Sequence, residues 1–213
     1  HPTCESDTWF LAGELTGESG RRFAFLSIFN KNRPGQAIVA DFYTMALFDL
    51  DNGTYGTYTD YDIPSTNKKA DVPAKLTVAD DHLDIACASR AGPATWQACR
   101  DDQGDLRPYT YNVSFRGTDQ NGSEMRLDLH VEPSRAPVPL GAAAYNGVIE
   151  CFGQTTTYSY FQTGMTMTGT LSWGSVQETV AGTSGHVDRQ WFPLVANGGG
   201  GSGDIPARAH EWR

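Results

Sequence analysis

An antiparallel all-β fold, rolled into a barrel, is what this sequence predicts, and three observations predict it. Apolar side chains recur at every second residue along most of the chain, and no stretch carries a persuasive 3.6-residue stripe. The alternating runs are short and separated by turn residues. A meander built from such runs has two sticky edges unless it closes, so a barrel is the economical arrangement. The 213 residues suffice to bury roughly 70% of the unfolded surface. An apolar content of 39% with 11% aromatics supplies a core and argues against disorder.

In chain order, "RRFAFLSIFN" (21–30) and "QAIVADFYTMALFDL" (36–50) read as strands. "KLTVADDHLDIAC" (75–87) reads as a hairpin turning at Asp80-Asp81. "YTYNVSFRG" (109–117) places Tyr109, Tyr111, Val113 and Phe115 on one face. "EMRLDLHVE" (124–132) sets Met125, Leu127, Leu129 and Val131 against Arg126, Asp128, His130 and Glu132. Between these two runs, "TDQNG" carries the Asn-Gly signature of a tight hairpin. A third hairpin runs from "MTMTGTLSW" through Gly174 to "VQETVAG". After Trp191 the pattern stops, which predicts a β-barrel domain over 1–193 and a Gly-rich linker over 194–207. The run from Gly198 to Gly203 satisfies G-x-G-x-x-G, but no helix signal follows it and no P-loop Lys is present.

A net charge of −9 without a basic cluster makes nucleic acid an unsuitable partner. No apolar run approaches the ~18 residues of a membrane span. Cys4, Cys87, Cys99 and Cys151 lack the spacing of a zinc or thioredoxin site. "CASRAGPATWQAC" reads as a loop stapled by Cys87 and Cys99, with Cys4–Cys151 as the second bridge, although four cysteines allow three pairings. N-x-[ST] sequons occur at Asn52, Asn112 and Asn121. A chain opening on His1 is expected to have lost a preceding segment, a signal peptide or a tag. Together with the cysteines and sequons, this predicts a secreted protein.

The sequence lacks G-x-S-x-G, H-E-x-x-H and D-x-D-x-D-G, which sets aside serine hydrolases, zinc proteases and calcium loops. The adjacent acids Asp80-Asp81 and Asp101-Asp102 suit turns. What remains is "GHVDRQWFP" (185–193), which places His186, Asp188 and Arg189 among Trp191 and Phe192. Upstream, "TTTYSYFQTGMTM" offers Tyr158, Tyr160, Phe161, Met165 and Met167. One expectation is an apolar cavity lined by Trp191, Phe161, Met165 and Met167, with Tyr158, Tyr160 and His186 orienting a hydrophobic small-molecule substrate. Within it Asp188, buried beside Trp191, would have a raised pKa and act as a neutral proton donor. The plainer expectation is a barrel core with Asp188 paired to Arg189 or another cation. Neither requires a metal or a cofactor.

"DTWFLAGELTGESGRRFAFLSIFNKN", "FDLDNGTYGTYTDYDIP" and "CFGQTTTYSYFQTGMTMTG…GHVDRQWFP" resemble the lipocalin-like proteins related to carotenoid 1,2-hydratase. They are also similar to the fungal lipocalin-like Diels–Alderases. The resemblance covers roughly residues 7–193. It implies an antiparallel lipocalin-like β-barrel, the first of two such domains of one polypeptide, with "HEWR" (210–213) resembling the opening of the second and the boundary at 208. In the pericyclases the substrate lies between the two barrels. The implied activity is a cofactor-independent cyclase of Diels–Alder or hetero-Diels–Alder type, acting on a polyketide or terpenoid intermediate. The alternatives are an alkene hydratase with Asp188 as the acid and a non-catalytic carrier of a hydrophobic small molecule. Hydratase relatives place the Asp in a Tyr-x-Asp setting, whereas here His186 stands in place of the Tyr.

Overall fold

The computed structural model describes residues 6–33, 40–62, 75–141, 148–151 and 154–192. Its strands are β1 (Ser6–Gly17), β2 (Arg22–Asn32), β3 (Phe42–Asp49), β4 (Thr54–Tyr61), β5 (Leu76–Val78), β6 (Asp84–Ser89) and β7 (Gly92–Arg100). There follow β8 (Leu106–Thr118), β9 (Glu124–Glu132), β10 (Val138–Pro139), β11 (Val148–Cys151), β12 (Gln154–Trp173) and β13 (Val176–Phe192). All belong to one antiparallel sheet in the order β4-β3-β2-β1-β13-β12-β9-β8-β7-β6-β5, with β10 and β11 pairing the first half of β12. The first strand therefore docks on the last, as a meander must when it rolls up. No helix among the described residues is long and apolar enough to cross a membrane.

The three expected hairpins form. β8 and β9 meet at a turn in which the Asp119 carboxylate accepts hydrogen bonds from the backbone N–H groups of Asn121 and Ser123, both at 2.8 Å. Gly122 there takes φ 86°, the left-handed region that Asn-Gly turns require. One detail departs from the alternation. Tyr109 adopts φ 55° and stands 43% exposed instead of sharing the buried face of Tyr111.

The inner face is filled. Trp9, Leu11 and Leu15 of β1 pack with Phe23, Phe25 and Phe29 of β2, Trp96 of β7, Phe115 of β8 and the apolar side of β9. Sheet closure is carried by side chains rather than by a ladder between β4 and β5. Asp60 on β4 is bound to Lys75 and to the backbone N–H of Arg90 (2.8 Å). Tyr43 reaches across from β3, its hydroxyl donating to Arg116 O at 3.0 Å and accepting from Arg116 N at 2.9 Å.

A β-bulge sets which side chains of β12 enter the core. The register with β13 shifts between Thr163 and Met165, and the intervening Gly164 has φ 68°. The extra residue inverts the alternation. Before it the even-numbered side chains Tyr160 and Gln162 point inward; after it the odd-numbered Met165 and Met167 do, both fully buried in the core.

The expected Cys87–Cys99 bridge does not form; both are free thiols. "CASRAGPATWQAC" is the β6–β7 hairpin, not a loop, with Cys87 opposite Ala94. Cys99 lies five positions beyond Ala94, ~17 Å along the strand at ~3.4 Å per residue. A disulfide tolerates at most ~7 Å between Cα atoms. Cys4, the linker 194–207 and residues 208–213 lie outside the described residues, as do the "QAIV" end of the second expected strand and the side chain of Cys151.

Candidate functional site

The two sides of β13 separate the residues that the sequence placed in one cavity. Val187, Arg189 and Trp191 face inward, opposite Leu11, Trp9 and Asp7 of β1. His186, Asp188 and Gln190 face outward, away from the core. Tyr158 and Tyr160 belong with the inner set. Tyr158 stacks on Trp191 at 5.4 Å and Tyr160 meets the same ring edge-on at 6.1 Å. Phe161 belongs with the outer set, directly opposite Asp188. Met165 and Met167 are core residues.

On the inner side Arg189 is buried, its Nη1 donating to Asp7 Oδ1 at 2.7 Å and Thr8 O at 2.8 Å. Its guanidinium lies 4.3 Å from the Trp9 ring centroid and 5.6 Å from that of Trp191. Burial lowers its pKa to about 10, which leaves it cationic at neutral pH. This is the ion pair that pins the barrel end, made with Asp7 rather than with Asp188. The cleft beside it, lined by Trp9, Leu83, Ile85, Tyr160, Arg189 and Trp191, measures about 270 Å³. Pockets for drug-sized ligands start near ~300 Å³. Of the residues expected to line an apolar chamber, Tyr160 and Trp191 border this cleft, whereas Met165 and Met167 are packed into the core.

On the outer side, the ladder registers align side chains into rows across four strands. Ile28 of β2, Phe10 of β1, Asp188 of β13 and Phe161 of β12 form one row. Leu26, Ala12, His186 and Thr163 form the row on one side of it. Asn30, Thr8, Gln190 and Ser159 form the row on the other. Asp188 is therefore the one acid in an otherwise apolar row. The His186 ring packs 5.1 Å from Phe161 and 6.3 Å from Phe10, centroid to centroid, closing the apolar setting.

Asp188 Oδ1 is buried without a hydrogen-bond partner among the described residues. Desolvation pushes its carboxyl up from 3.8 to about 6, against a smaller downward pull from Arg189 on the opposite side of the sheet. Burial moves His186 the other way, below its usual value, so the imidazole is neutral at physiological pH. A carboxyl whose pKa is raised to about 6 can act as a proton donor, and His186 stands on the same face of the sheet one row away.

Phe10, Gln190 and Ser159 belong to this face and were not picked out from the sequence. The alternation about Asp188 points to Gln190, but only the pairing of β13 with β1 and β12 brings in Phe10 and Ser159. A second cleft, about 380 Å³, contains Cys99, Asn112 and His130. Cys99 Sγ lies 3.8 Å from His130 Nδ1, which is 2.8 Å from Asn112 Oδ1. Burial raises the Cys99 thiol pKa, so this group is not an activated nucleophile. Among the described residues no cluster of three His, Cys, Asp or Glu is arranged to hold a metal ion.

No protein-family model matches the sequence, and no curated protein matches it. The fold does match solved structures. A candidate AttH from Nitrosomonas europaea aligns with a TM-score of 0.60 at 17% identity, over 90% of this chain and 52% of its own. Kievitone hydratase from Nectria haematococca aligns with a TM-score of 0.56 at 12% identity, over 89% of this chain and 48% of its own. The chain thus spans about half the length of the solved structures it matches. At these identities the likeness establishes the fold, a lipocalin-like β-barrel, and it fits the relation that the sequence resemblance implied.

Proposed function

We propose that the outer face of β1, β13 and β12 is one wall of the active site of a cofactor-independent alkene hydratase, with Asp188 as general acid. The observation that carries this reading is the placement of a half-buried carboxyl, one oxygen unpartnered, between Phe10 and Phe161. Such a group is poised to give its proton to a carbon atom held against the rings. The Asp188 O–H bond breaks as a C–H bond forms, leaving a cation on the neighbouring carbon. Water attacks that carbon and its surplus proton returns to the Asp188 carboxylate, directly or through His186. The net change is addition of one water. Apolar surroundings favour the neutral acid before transfer, and the carboxylate formed next to the cation stabilises it electrostatically. The hydratase among the structural neighbours supports the reading, and the neighbours' chains, of which this one spans about half, are compatible with a second domain that would form the opposite wall.

The Diels–Alder cyclase is the second reading, and it rests on the same rings. Phe10, Phe161 and His186, their rings tilted against one another, present an apolar surface against which a diene and its partner can be held in near-attack geometry. It ranks second because positioning alone gives no role to a carboxyl with a raised pKa.

The test is turnover of electron-rich trisubstituted alkenes by the full-length polypeptide in ¹⁸O-labelled water. The expected result is one labelled oxygen per product, with at least ~100-fold loss in Asp188→Asn, the usual scale for removing a general acid. Unchanged turnover in Asp188→Asn, or product formed without label, would overturn the hydratase assignment. Cyclised product surviving in that variant would favour the second reading.

A further inference from the structure

Away from the Asp188 face, β6, β7, β8 and β9 carry a polar row of their own. The ladder registers set Asp84, Gln97, Asn112 and His130 side by side, one from each strand. A cleft of about 380 Å³ opens over this row, and its cause is a break between β7 and β8. Ala98 pairs with Tyr111 and Arg100 with Leu106, so four residues of β8, 107–110, stand opposite Cys99 alone. The sequence favours the break. Pro108 has no N–H to give to a ladder. Tyr109 takes φ 55° and is the one non-glycine at positive φ among the described residues. Bulges re-aim side chains, and strained backbone of this kind clusters at binding sites.

What the break re-aims is charge. Arg100, at the end of β7, and Arg107, in the bulged stretch, line the cleft with His130, and His82 joins them from the turn before β6. Among the lining residues the one carboxylate is Asp84. Even with both imidazoles neutral, the lining thus carries one more cation than anions, in a chain whose net charge is −9. The cations are held in place without being used up. Arg107 Nη2 donates to Glu132 Oε1 at 2.9 Å, and the same oxygen lies 3.3 Å from His130 Nε2. Glu132 offsets part of the charge and ties these two side chains together. Arg100 Nη1 donates to Gly104 O at 2.7 Å. Each guanidinium has five N–H donors, so most remain for a ligand. Asn112 Oδ1 is 2.8 Å from His130 Nδ1, which leaves the amide N–H groups of Asn112 for a ligand as well.

We infer that this cleft binds a small organic oxyanion, its carboxylate or phosphate group held by Arg100, Arg107 and the Asn112 amide. Guanidinium forks match paired oxygens, and hydrogen bonds to charged partners are the strong ones. The volume passes the ~300 Å³ at which small-molecule sites begin, so the anionic group sits on a larger molecule. Asp84 and Gln97, hydrogen-bonded to each other at 3.2 Å at the far end of the row, suit that molecule's neutral polar part. The cleft shares no residue with the Asp188 face, so this inference stands or falls apart from the hydratase reading.

Calorimetric titration of the full-length polypeptide with inorganic phosphate and with citrate, at ionic strength held constant with sodium chloride, tests the site. Saturable binding of one or both anions is expected, with Kd of about 1 mM or tighter. Arg100→Gln and Arg107→Gln should each weaken it by roughly 10-fold or more, the scale of a charge-assisted hydrogen bond. Both side chains are exposed, so the variants should fold as the parent does. Arg107→Lys, which keeps the charge and loses the fork, should recover only part of the affinity. Arg126→Gln removes an exposed arginine of β9 outside the cleft and should leave binding unchanged. In NMR spectra of the parent, the Arg100 and Arg107 Nε–H and the Asn112 amide signals should shift with the calorimetric Kd. No saturable binding of either anion at roughly ten times that concentration overturns the site. So does full affinity in both glutamine variants, or an equal loss in Arg126→Gln, which would mean a diffuse surface effect.

Discussion

Replacing Asp188 by Asn should make the protein more stable at neutral pH while removing the water-addition activity we propose for it, and the size of the gain follows from the carboxyl's surroundings. The folded state raises its pKa from 3.8 to about 6. At ~1.36 kcal/mol per unit that is roughly 3 kcal/mol between the two protonation states. Asp188 is only half-buried, and solvent screening reduces the realised effect to about 1–2 kcal/mol. The sign is set by which state binds the proton more tightly. Here it is the folded state, so the stability this group contributes is complete below about pH 4 and lost as pH rises through about 6. Asparagine has nearly the same shape and no charge at any pH. Parent and Asp188→Asn should therefore melt together near pH 4, and the variant should lead by about 1–2 kcal/mol at pH 8. In a domain of this size that is about 2–8 °C. Urea unfolding at several pH values across that range measures it directly. A difference that does not vary with pH, or an Asn variant less stable at pH 8, would show that the carboxylate is satisfied in the fold and that the general-acid case is unfounded.

Further outcomes follow from the same structure. With Asp188 as the general acid we propose, kcat of the parent protein should fall as pH rises through about 6, because the acid must carry its proton; a pH–rate profile flat through that region would contradict this. Arg189→Ala should destabilise by about 3–5 kcal/mol, since it strips the guanidinium from the fully buried Asp7 carboxylate and from the Trp9 ring; chemical denaturation reads it, and a loss under 1 kcal/mol would show the pair to be dispensable. Asp60→Asn should cost about 1–3 kcal/mol by loosening the seam between β4 and the β5–β7 side of the sheet, with faster amide exchange at β4; unchanged exchange there would place closure elsewhere. If the protein passes through the secretory pathway, as we propose from its sequons, glycans belong on Asn52 and Asn121, which lie on exposed turns. Asn112 lies within β8 beside His130 and is the poorer acceptor. A glycosidase-sensitive mass shift mapped to the two turn positions checks this, and an unshifted protein from a secreting host would sink it.

Alternation in "EMRLDLHVE" and "YTYNVSFRG" and the Asn-Gly turn between them determine strand, face and hairpin locally. Each needs only the two-residue period of a strand and the positive φ of a tight turn. That Asp188 stands in apolar surroundings matches the expectation from sequence, but not for the reason given there: Trp191 lies on the other face, and the rings beside the carboxyl are Phe10 and Phe161 from neighbouring strands. Which side of the sheet that carboxyl faces is a different kind of fact. Neighbours along a strand point to opposite faces, so Asp188 and Arg189 were bound to separate. Only the packing of β1, β12 and β13 decided that the arginine went inward to Asp7 and the acid outward to Phe10 and Phe161. The bulge at Gly164 illustrates the same limit: one extra residue inverts the pattern, moving Met165 and Met167 to the inner face and into the core. The cysteines illustrate it again, since a spacing that suits a stapled loop is, in an extended hairpin, a separation no disulfide spans. Local periodicity is written in single residues, whereas the rows that make a site are assembled from strands far apart in the chain, and their register is set by the core on the other side of the sheet.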